Sequence, residues 1–272
     1  MTNGRRADLL AVDTGLARSR TEARRLIDEG RLILRGPGGK RLPLKASTLV
    51  ADHGALTRDG TAGTDFVSRG ALKLAHALRV FSVPVAGRLA ADLGQSTGGF
   101  TECLLQAGVR LVVGVEVGHG QLAASLRTDP RVFTLEKTHV RDAHRERLAE
   151  ALDTAIDAGR VRSRGFDLVV VDLSFISQRR VMDAIVALLA DDGDLVSLVK
   201  PQFELGTGAV DRRGLVRDRA ALANLRPAFE AALTGHGMQL CGWTESPITG
   251  GDGNHELLMH ARHARVTATE AA

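Results

Sequence analysis

The sequence predicts an α/β protein: a mostly parallel, seven-stranded, Rossmann-like sheet preceded by a small α+β domain. Three observations carry this. Beyond residue 67, short apolar runs alternate strictly with amphipathic stretches, the pattern of strand–helix–strand crossovers. Runs such as Phe166-Asp-Leu-Val-Val-Val are almost continuously apolar, as strands are when helices cover both faces of a parallel sheet. The 272 residues leave room for one or two domains at roughly 100–200 residues each.

The first domain is expected over residues 1–60. Leu9, Leu10, Val12 and Leu16 form one apolar stripe, and Gly15 ends that helix because glycine takes the left-handed cap without strain. Ser19 is placed to cap a second helix, with Glu22 completing a capping-box pattern. Ala23, Leu26 and Ile27 repeat at helical spacing before Gly30 stops the run. Leu32-Ile33-Leu34, the turn Gly36-Pro37-Gly38-Gly39 and Leu42 to Leu44 read as a hairpin. Residues 61–67 read as a linker. The α/β domain then spans 68–265, with strands near 88–93, 111–117, 131–135, 166–172, 194–199, 238–245 and 255–262. Its helices are expected near 69–79, 97–108, 119–127, 142–158, 179–190 and 218–235. The tail, 266–272, is expected to fray.

Charge is unevenly divided. Residues 1–62 hold 12 Lys/Arg against 7 Asp/Glu, a surplus of +5, while the remainder comes to −1. An anionic partner, nucleic acid first, would therefore meet the first quarter of the chain; a merely solvated basic face is the alternative. Arg20, Arg24 and Arg31 fall near one face of the second helix. Eight Phe, one Trp and no Tyr argue against an aromatic base-stacking platform, so RNA contact should rest on phosphate charge and shape. No apolar run approaches the roughly 20 residues of a membrane span, and no apolar stretch follows the basic start, so neither a membrane protein nor a signal peptide is expected. Cys103 and Cys241 form neither a disulfide framework nor a metal spacing; the expected compartment is cytoplasmic and no metal is expected.

Ala91-Asp92-Leu93-Gly94-Gln95-Ser96-Thr97-Gly98-Gly99-Phe100 follows the α/β domain's first strand and opens a helix, where glycines and free N–H groups admit a ligand. Ser96 occupies the second glycine position of a dinucleotide fingerprint, which disfavours a pyrophosphate cradle. Glu116 ends the next strand, where its carboxylate can accept both ribose hydroxyls of an adenosine. Asp-x-Gly with a second-strand acid is the arrangement of class I S-adenosylmethionine-dependent methyltransferases. On these residues alone, another nucleotide or a tight structural turn stays open. Four further segments converge: Ser68-Arg-Gly-Ala-Leu-Lys73, Asp172-Leu-Ser-Phe-Ile-Ser177, Lys200-Pro-Gln-Phe-Glu204 and Gly253-Asn-His-Glu256. Asp172 and Lys200 end neighbouring strands, where open α/β sheets bind ligands, and form a candidate acid/base pair. Singly, each such group is an ordinary surface ion-pair partner.

Residues 5–60 resemble the small RNA-binding domain first described in ribosomal protein S-four, through Arg6-Ala-Asp-Leu-Leu, Gly15-Leu-Ala-Arg18-Ser-Arg20, Ala23 and Leu26-Ile27-Asp-Glu-Gly30. From about residue 5 to residue 262 the chain resembles the TlyA family, rRNA 2′-O-ribose methyltransferases with an FtsJ-like second domain, some long named haemolysins. The motifs are Val67-Ser-Arg-Gly-Ala-Leu-Lys73, Ser96-Thr-Gly-Gly-Phe-Thr101, Val117-Gly-His-Gly-Gln-Leu122, Asp172 to Ser177, Val199-Lys-Pro-Gln-Phe-Glu204 and Gly253 to Glu256. The resemblance implies a catalytic tetrad of Lys73, Asp172, Lys200 and Glu256. It implies S-adenosylmethionine held by Asp92, Gly94, Ser96, Thr97, Gly98, Gly99, Phe100, Glu116, His139 and Asp172. Arg6, Arg18, Arg20, Arg24 and Arg31 are the expected RNA contacts. The implied acceptor is a ribose 2′-hydroxyl, on cytidine, in ribosomal RNA or a ribosomal subunit. A free lysine titrates near about 10.4, so two converging lysines suit this chemistry. One stays charged beside the developing alkoxide while Lys200, the expected base, takes the proton.

Three segments depart from the family pattern. Gln95 stands for the usual alanine and is expected to crowd or hydrogen-bond the methionine part of the cofactor. His139 stands for the usual asparagine near the adenine, and Thr64-Asp-Phe-Val for an Arg-x-Trp-Val linker. They leave open an O-methyltransferase acting on a small molecule; a membrane-active haemolysin is the reading the old family name suggests.

Overall fold

The computed structural model describes residues 4–17, 19–28, 30–36, 41–51, 55–58, 66–152, 155–211 and 214–264. The chain divides into two compact units, Met1–Asp65 and Phe66–Ala272. Arg18, the expected turn at 37–39, linker residues 61–65 and the tail lie outside the described residues.

The first unit runs β1 (Arg5–Arg6), α1 (Ala7–Asp13), α2 (Arg20–Asp28), β2 (Leu32–Arg35), β3 (Arg41–Leu42), β4 (Leu49–Val50) and β5 (Leu56–Arg58). Ser19 Oγ accepts from Glu22 N–H at 3.2 Å, the expected cap. At the far end Gly30 takes φ +67° and Arg31 N–H returns to the Leu26 carbonyl at 2.8 Å. The apolar stripes meet: Ala7, Leu10, Ala11, Ala23 and Leu26 bury against Leu32, Leu34 and Leu56. β2 pairs antiparallel with β3 and also with β5. Sequence patterning misses β5 because its three residues are too few to display an alternation.

The second unit runs α3 (Gly70–Val80), β6 (Leu89–Leu93), α4 (Gly99–Gln106), β7 (Leu111–Val115), α5 (Ala124–Arg127), β8 (Val132–Leu135), α6 (Arg145–Glu150), α7 (Ala155–Arg164), β9 (Phe166–Val171), α8 (Met182–Ala187), β10 (Leu189–Val199), α9 (Pro201–Glu204), α10 (Arg219–Ala223), α11 (Leu225–Gly235), β11 (Met238–Glu245) and β12 (Leu257–His263). The seven strands stand in the order β11-β12-β10-β9-β6-β7-β8. β12 runs antiparallel to both neighbours, and the other pairs are parallel. Both faces are covered: Leu89, Ala91, Val169 and Val171 enter one apolar core, Ala90, Leu168 and Val170 the other. Each fully buried Val or Leu contributes roughly 1.5–3 kcal/mol, which makes the sheet a stiff platform for the loops at its rim. From β6 the chain passes to β7 on one side and returns to β9 on the other, opening a crevice at their carboxyl ends.

Four expected helices are shorter or divided. The stretch 119–127 is helical only as α5, because Gly118 and Gly120 N–H groups are committed to the Glu116 and Glu136 carboxylates at 2.7 and 2.8 Å. The stretch 142–158 becomes α6 and α7, the first capped by His144 Nδ1 accepting from Arg147 N–H at 3.3 Å. The stretch 179–190 tightens to a 3₁₀ turn, Gln178–Val181, before α8, and its end is taken by β10. Residues 218–235 break at Asn224, since Pro227 lacks the N–H that would continue α10 and instead suits the first turn of α11.

Candidate active site

The turn after β6 is drawn tight from both sides. Gly94 N–H and Gln95 N–H both reach the Val115 carbonyl, at 2.9 and 3.2 Å. Gly94 takes φ +87°, and a Cβ there would meet the Asp172 carbonyl oxygen at 2.5 Å; only glycine lets the β6 and β9 loops approach so closely. Ser96 adopts φ +48°, costly for a non-glycine residue, and is held by its N–H donating to Glu116 Oε2 at 2.9 Å and its hydroxyl donating to Gln121 Oε1 at 3.2 Å. The Thr97 carbonyl accepts from Ala123 N–H at 3.2 Å. Gly98 caps α4, and Gly99 begins it with its α-carbon against Ser68. Phe100, in contrast to its expected place at a ligand, is buried in the apolar core, because it lies on the inward stripe of α4.

Glu116 and His139 border one cavity of about 290 Å³, walled by Val117, Leu173, Phe175 and Ile176. The Glu116 carboxylate spends one bond on Ser96 N–H and one on Gly118 N–H, leaving lone pairs for ribose hydroxyls. His139 Nδ1 accepts from Arg141 N–H at 3.1 Å. At the base of the turn Asp92 is fully buried; Oδ2 accepts from the Thr101 hydroxyl at 2.7 Å, whereas Oδ1 has no partner. Burial above all pushes this carboxyl up to about 7, reinforced by the Asp172 and Glu116 charges and opposed by the Thr101 hydrogen bond. A buried acceptor without a donor suits a cationic ligand group, such as the ammonium of S-adenosylmethionine.

Gln95 corrects an expectation. It is buried beneath the turn, donating from Nε2 to Thr101 Oγ1 and accepting from the Thr134 hydroxyl, both at 2.9 Å. Its amide lies over Gly114, where a Cβ would come within 2.1 Å of it. Glycine at 114 makes the room that glutamine at 95 fills, and the side chain buttresses Asp92 through Thr101 instead of crowding a bound methionine.

The four residues of the expected tetrad come together at the same rim. Lys73 projects from α3, Asp172 follows β9, Lys200 follows β10, and Glu256 precedes the reversed β12. Lys73 Nζ donates to Glu256 Oε2, and both side chains are buried. Lys200 Nζ stands 2.6 Å from Asp172 Oδ1. That contact is Coulombic, off the hydrogen-bond direction, and the ammonium's directed bond goes to Ser174 Oγ at 2.8 Å. Burial, the largest effect, raises the Glu256 carboxyl; Lys73 and Lys200 both pull it down and Asp172 lifts it. Lys73, Lys200 and Asp172 are therefore all within electrostatic reach of Glu256. A second cavity, about 540 Å³, opens on Lys200, Glu256, Ser174, Phe175 and Phe203. Ser174 and Phe175 border both cavities.

Composition had argued against aromatic stacking, yet Phe175 is 90% exposed at φ +64° and its ring tilts over Phe203 at 5.2 Å. The signal was present in the spacing: each phenylalanine stands three residues after a strand-end tetrad member, Asp172 or Lys200. In the first unit, Arg6, Arg20 and Arg24 cluster on Asp8, while Arg31, half-buried, follows Gly30.

A sheet of this order, reversed only at β12 and with its crevice beside β6 and β9, is that of the class I methyltransferases. Residues 66–263 match the FtsJ-like methyltransferase family. The chain is 44% identical to the Mycobacterium tuberculosis 16S/23S rRNA (cytidine-2′-O)-methyltransferase TlyA, over 96% of this chain and 91% of that one. It is 31% identical to the Campylobacter jejuni 23S rRNA (cytidine-2′-O)-methyltransferase TlyA, over 72% and 70%. A solved structure from Streptococcus thermophilus that carries the hemolysin name superposes with a TM-score of 0.70 at 34% identity, covering 97% of this chain and 90% of that one. The chain belongs to the FtsJ-like methyltransferases and, among them, to the TlyA family. No helix among the described residues is long and apolar enough to cross a membrane.

Proposed function

We propose that the protein methylates the 2′-hydroxyl of a ribose, on cytidine, in ribosomal RNA. The observation that carries this reading is the pair of lysine–carboxylate couples, Lys73–Glu256 and Lys200–Asp172, at the rim beside the Glu116 cavity. S-adenosylmethionine is the donor and supplies an electrophilic methyl group. Glu116 holds its ribose, His139 and the apolar wall its adenine, and Asp92 Oδ1 its ammonium. The proton passes to the lone pair of Lys200 Nζ, an amine that ends as the ammonium beside Asp172. The hydroxyl oxygen meanwhile bonds to the methyl carbon and displaces the sulfur as the neutral thioether. Lys73, paired with Glu256, stabilises the negative charge that builds on that oxygen. Asp172 orients Lys200, and Ser174 fixes the direction in which its Nζ points. Phe175 offers a face to the base whose ribose is methylated, a contact worth about 1–3 kcal/mol. Arg6, Arg20, Arg24 and Arg31 supply the phosphate contacts, and the TlyA names of the relatives support rRNA as the acceptor.

Methyl transfer to ribosomal subunits, located by mass spectrometry of rRNA fragments, tests the acceptor. A 2′-deoxy residue at the modified position keeps most phosphate contacts and should abolish transfer. Methylation persisting on that substrate would show that a base atom, not the ribose, receives the group.

A further inference from the structure

The basic face of the first unit is built round one buried acid. Asp8, in the first turn of α1, is fully buried. Arg6 grips both its oxygens, Nε to Oδ1 and Nη2 to Oδ2, each at 3.0 Å. From α2, Arg20 and Arg24 reach Oδ2 at 3.3 and 3.4 Å. The three arginine side chains nevertheless remain 39%, 54% and 54% exposed. Hydrogen bonding from Arg6 is the largest of the effects that hold Asp8 well below the usual carboxylate range. The group keeps a surplus of positive charge, three guanidiniums against one carboxylate.

If charge alone mattered, this face would attract RNA more strongly without Asp8. Burying a carboxylate also carries a desolvation cost that only good geometry offsets. What Asp8 supplies is order. Each guanidinium spends one or two of its five N–H groups on the acid and keeps the others for a ligand. Three arginines held in advance lose less rotamer freedom on docking than three free ones.

We propose that Asp8 is a positioning residue that fixes Arg6, Arg20 and Arg24 as one preformed clamp for an RNA backbone phosphate. This rests on the reading that the first unit binds RNA. The test is fluorescence anisotropy of full-length protein with a short labelled duplex RNA across a salt series. Circular dichroism and S-adenosylmethionine titration check that each variant is folded.

Asp8→Asn keeps the side chain's shape and removes its charge. RNA affinity should fall about tenfold as preorganisation disappears, although the protein becomes more positive. The salt slope should flatten by about 0.9 for each duplex phosphate that is no longer neutralised, a change that a purely structural role would not produce. Unchanged or tighter binding would overturn the clamp. Should Asp8→Asn fail to fold, Arg6→Lys preserves both charges and removes only the two-pronged grip; a several-fold weaker complex supports the proposal and equal affinity overturns it. Wild-type protein that binds no RNA would overturn the clamp together with the RNA-binding reading. A duplex-RNA response to Asp8→Asn without any rRNA methylation would support the clamp and remove only the assigned acceptor.

Discussion

Asp92 is fully buried, and its pKa rises to about 7 from an ordinary 3.8, burial being the largest cause. The folded-state value lies above the unfolded one. This carboxyl therefore favours folding most below about pH 4, and that contribution is lost as the pH rises through 7. A cation docked at Oδ1 acts in the opposite direction, drawing the carboxyl back toward its ionised form. S-adenosylmethionine binding at pH 6 should thus release protons, and its affinity should climb as the pH rises toward about 7. Calorimetry in two buffers of different ionisation enthalpy reads this directly; no proton release would remove Asp92 from the ammonium site. Gln95 makes a second residue-scale prediction. Gln95→Ala empties the space above Gly114 and removes two buried hydrogen bonds, at a cost of about 1–3 kcal/mol. Denaturant unfolding should show that loss, while cofactor affinity falls by less, because the amide reaches Asp92 only through the Thr101 hydroxyl. Lys200→Ala should do the reverse, ending turnover with stability and cofactor binding intact, since its part begins only as the hydroxyl loses its proton.

The loop that follows β9 joins the two cavities, and Phe175 is its most exposed side chain. A phenylalanine at φ +64° carries strain of about 1–3 kcal/mol, and such strain persists where the surroundings or a function require it. Phe175→Gly relieves the strain and forfeits the packing on Phe203. Unfolding free energy should therefore move by less than about 1 kcal/mol, far below the usual cost of losing a phenylalanine. Turnover on rRNA should nonetheless fall tenfold or more because the base has no ring to stack on, and wild-type turnover would exclude Phe175 from the acceptor site. This loop also marks the limit of what the sequence displays. The parallel strands were legible because Phe166 to Val171 and its counterparts are apolar runs bounded by turns, as strands covered on both faces must be. Three of the expected tetrad residues, Asp172, Lys200 and Glu256, adjoin strand ends, where register fixes position, and Lys73 stands on α3. Helix limits were less legible, since Gly118 and Gly120 bind carboxylates that no local pattern reveals. The direction of Gln95 was hidden for a similar reason: it depends on the absent side chain of Gly114, one strand away.

Across the whole molecule, the proposed function divides RNA attraction and cofactor binding between units of different electrostatic character. The surplus of +5 belongs to residues 1–62, while the remaining residues come to −1. The cavity assigned to the cofactor is lined from within the second unit, by residues between Gly94 and Ile176. On the proposed function, attraction to RNA is a property of the first unit, and S-adenosylmethionine binding rests on hydrogen bonds and apolar walls within the second. Counterion release makes the first steeply salt-dependent, with log affinity falling by about 0.7 to 0.9 per neutralised phosphate for each tenfold rise in salt. Interactions inside a cavity are screened far less. Raising salt should therefore raise KM for rRNA steeply and leave KM for S-adenosylmethionine nearly constant, with kcat at saturating RNA unchanged. Replacing Arg20 and Arg24 together by glutamine should flatten only the RNA dependence. The measurement is a pair of substrate titrations over a salt series, one for each substrate. Equal salt dependence for the two substrates would mean that RNA and cofactor are not bound by separate units, and the division of labour drawn from the charge distribution would fall.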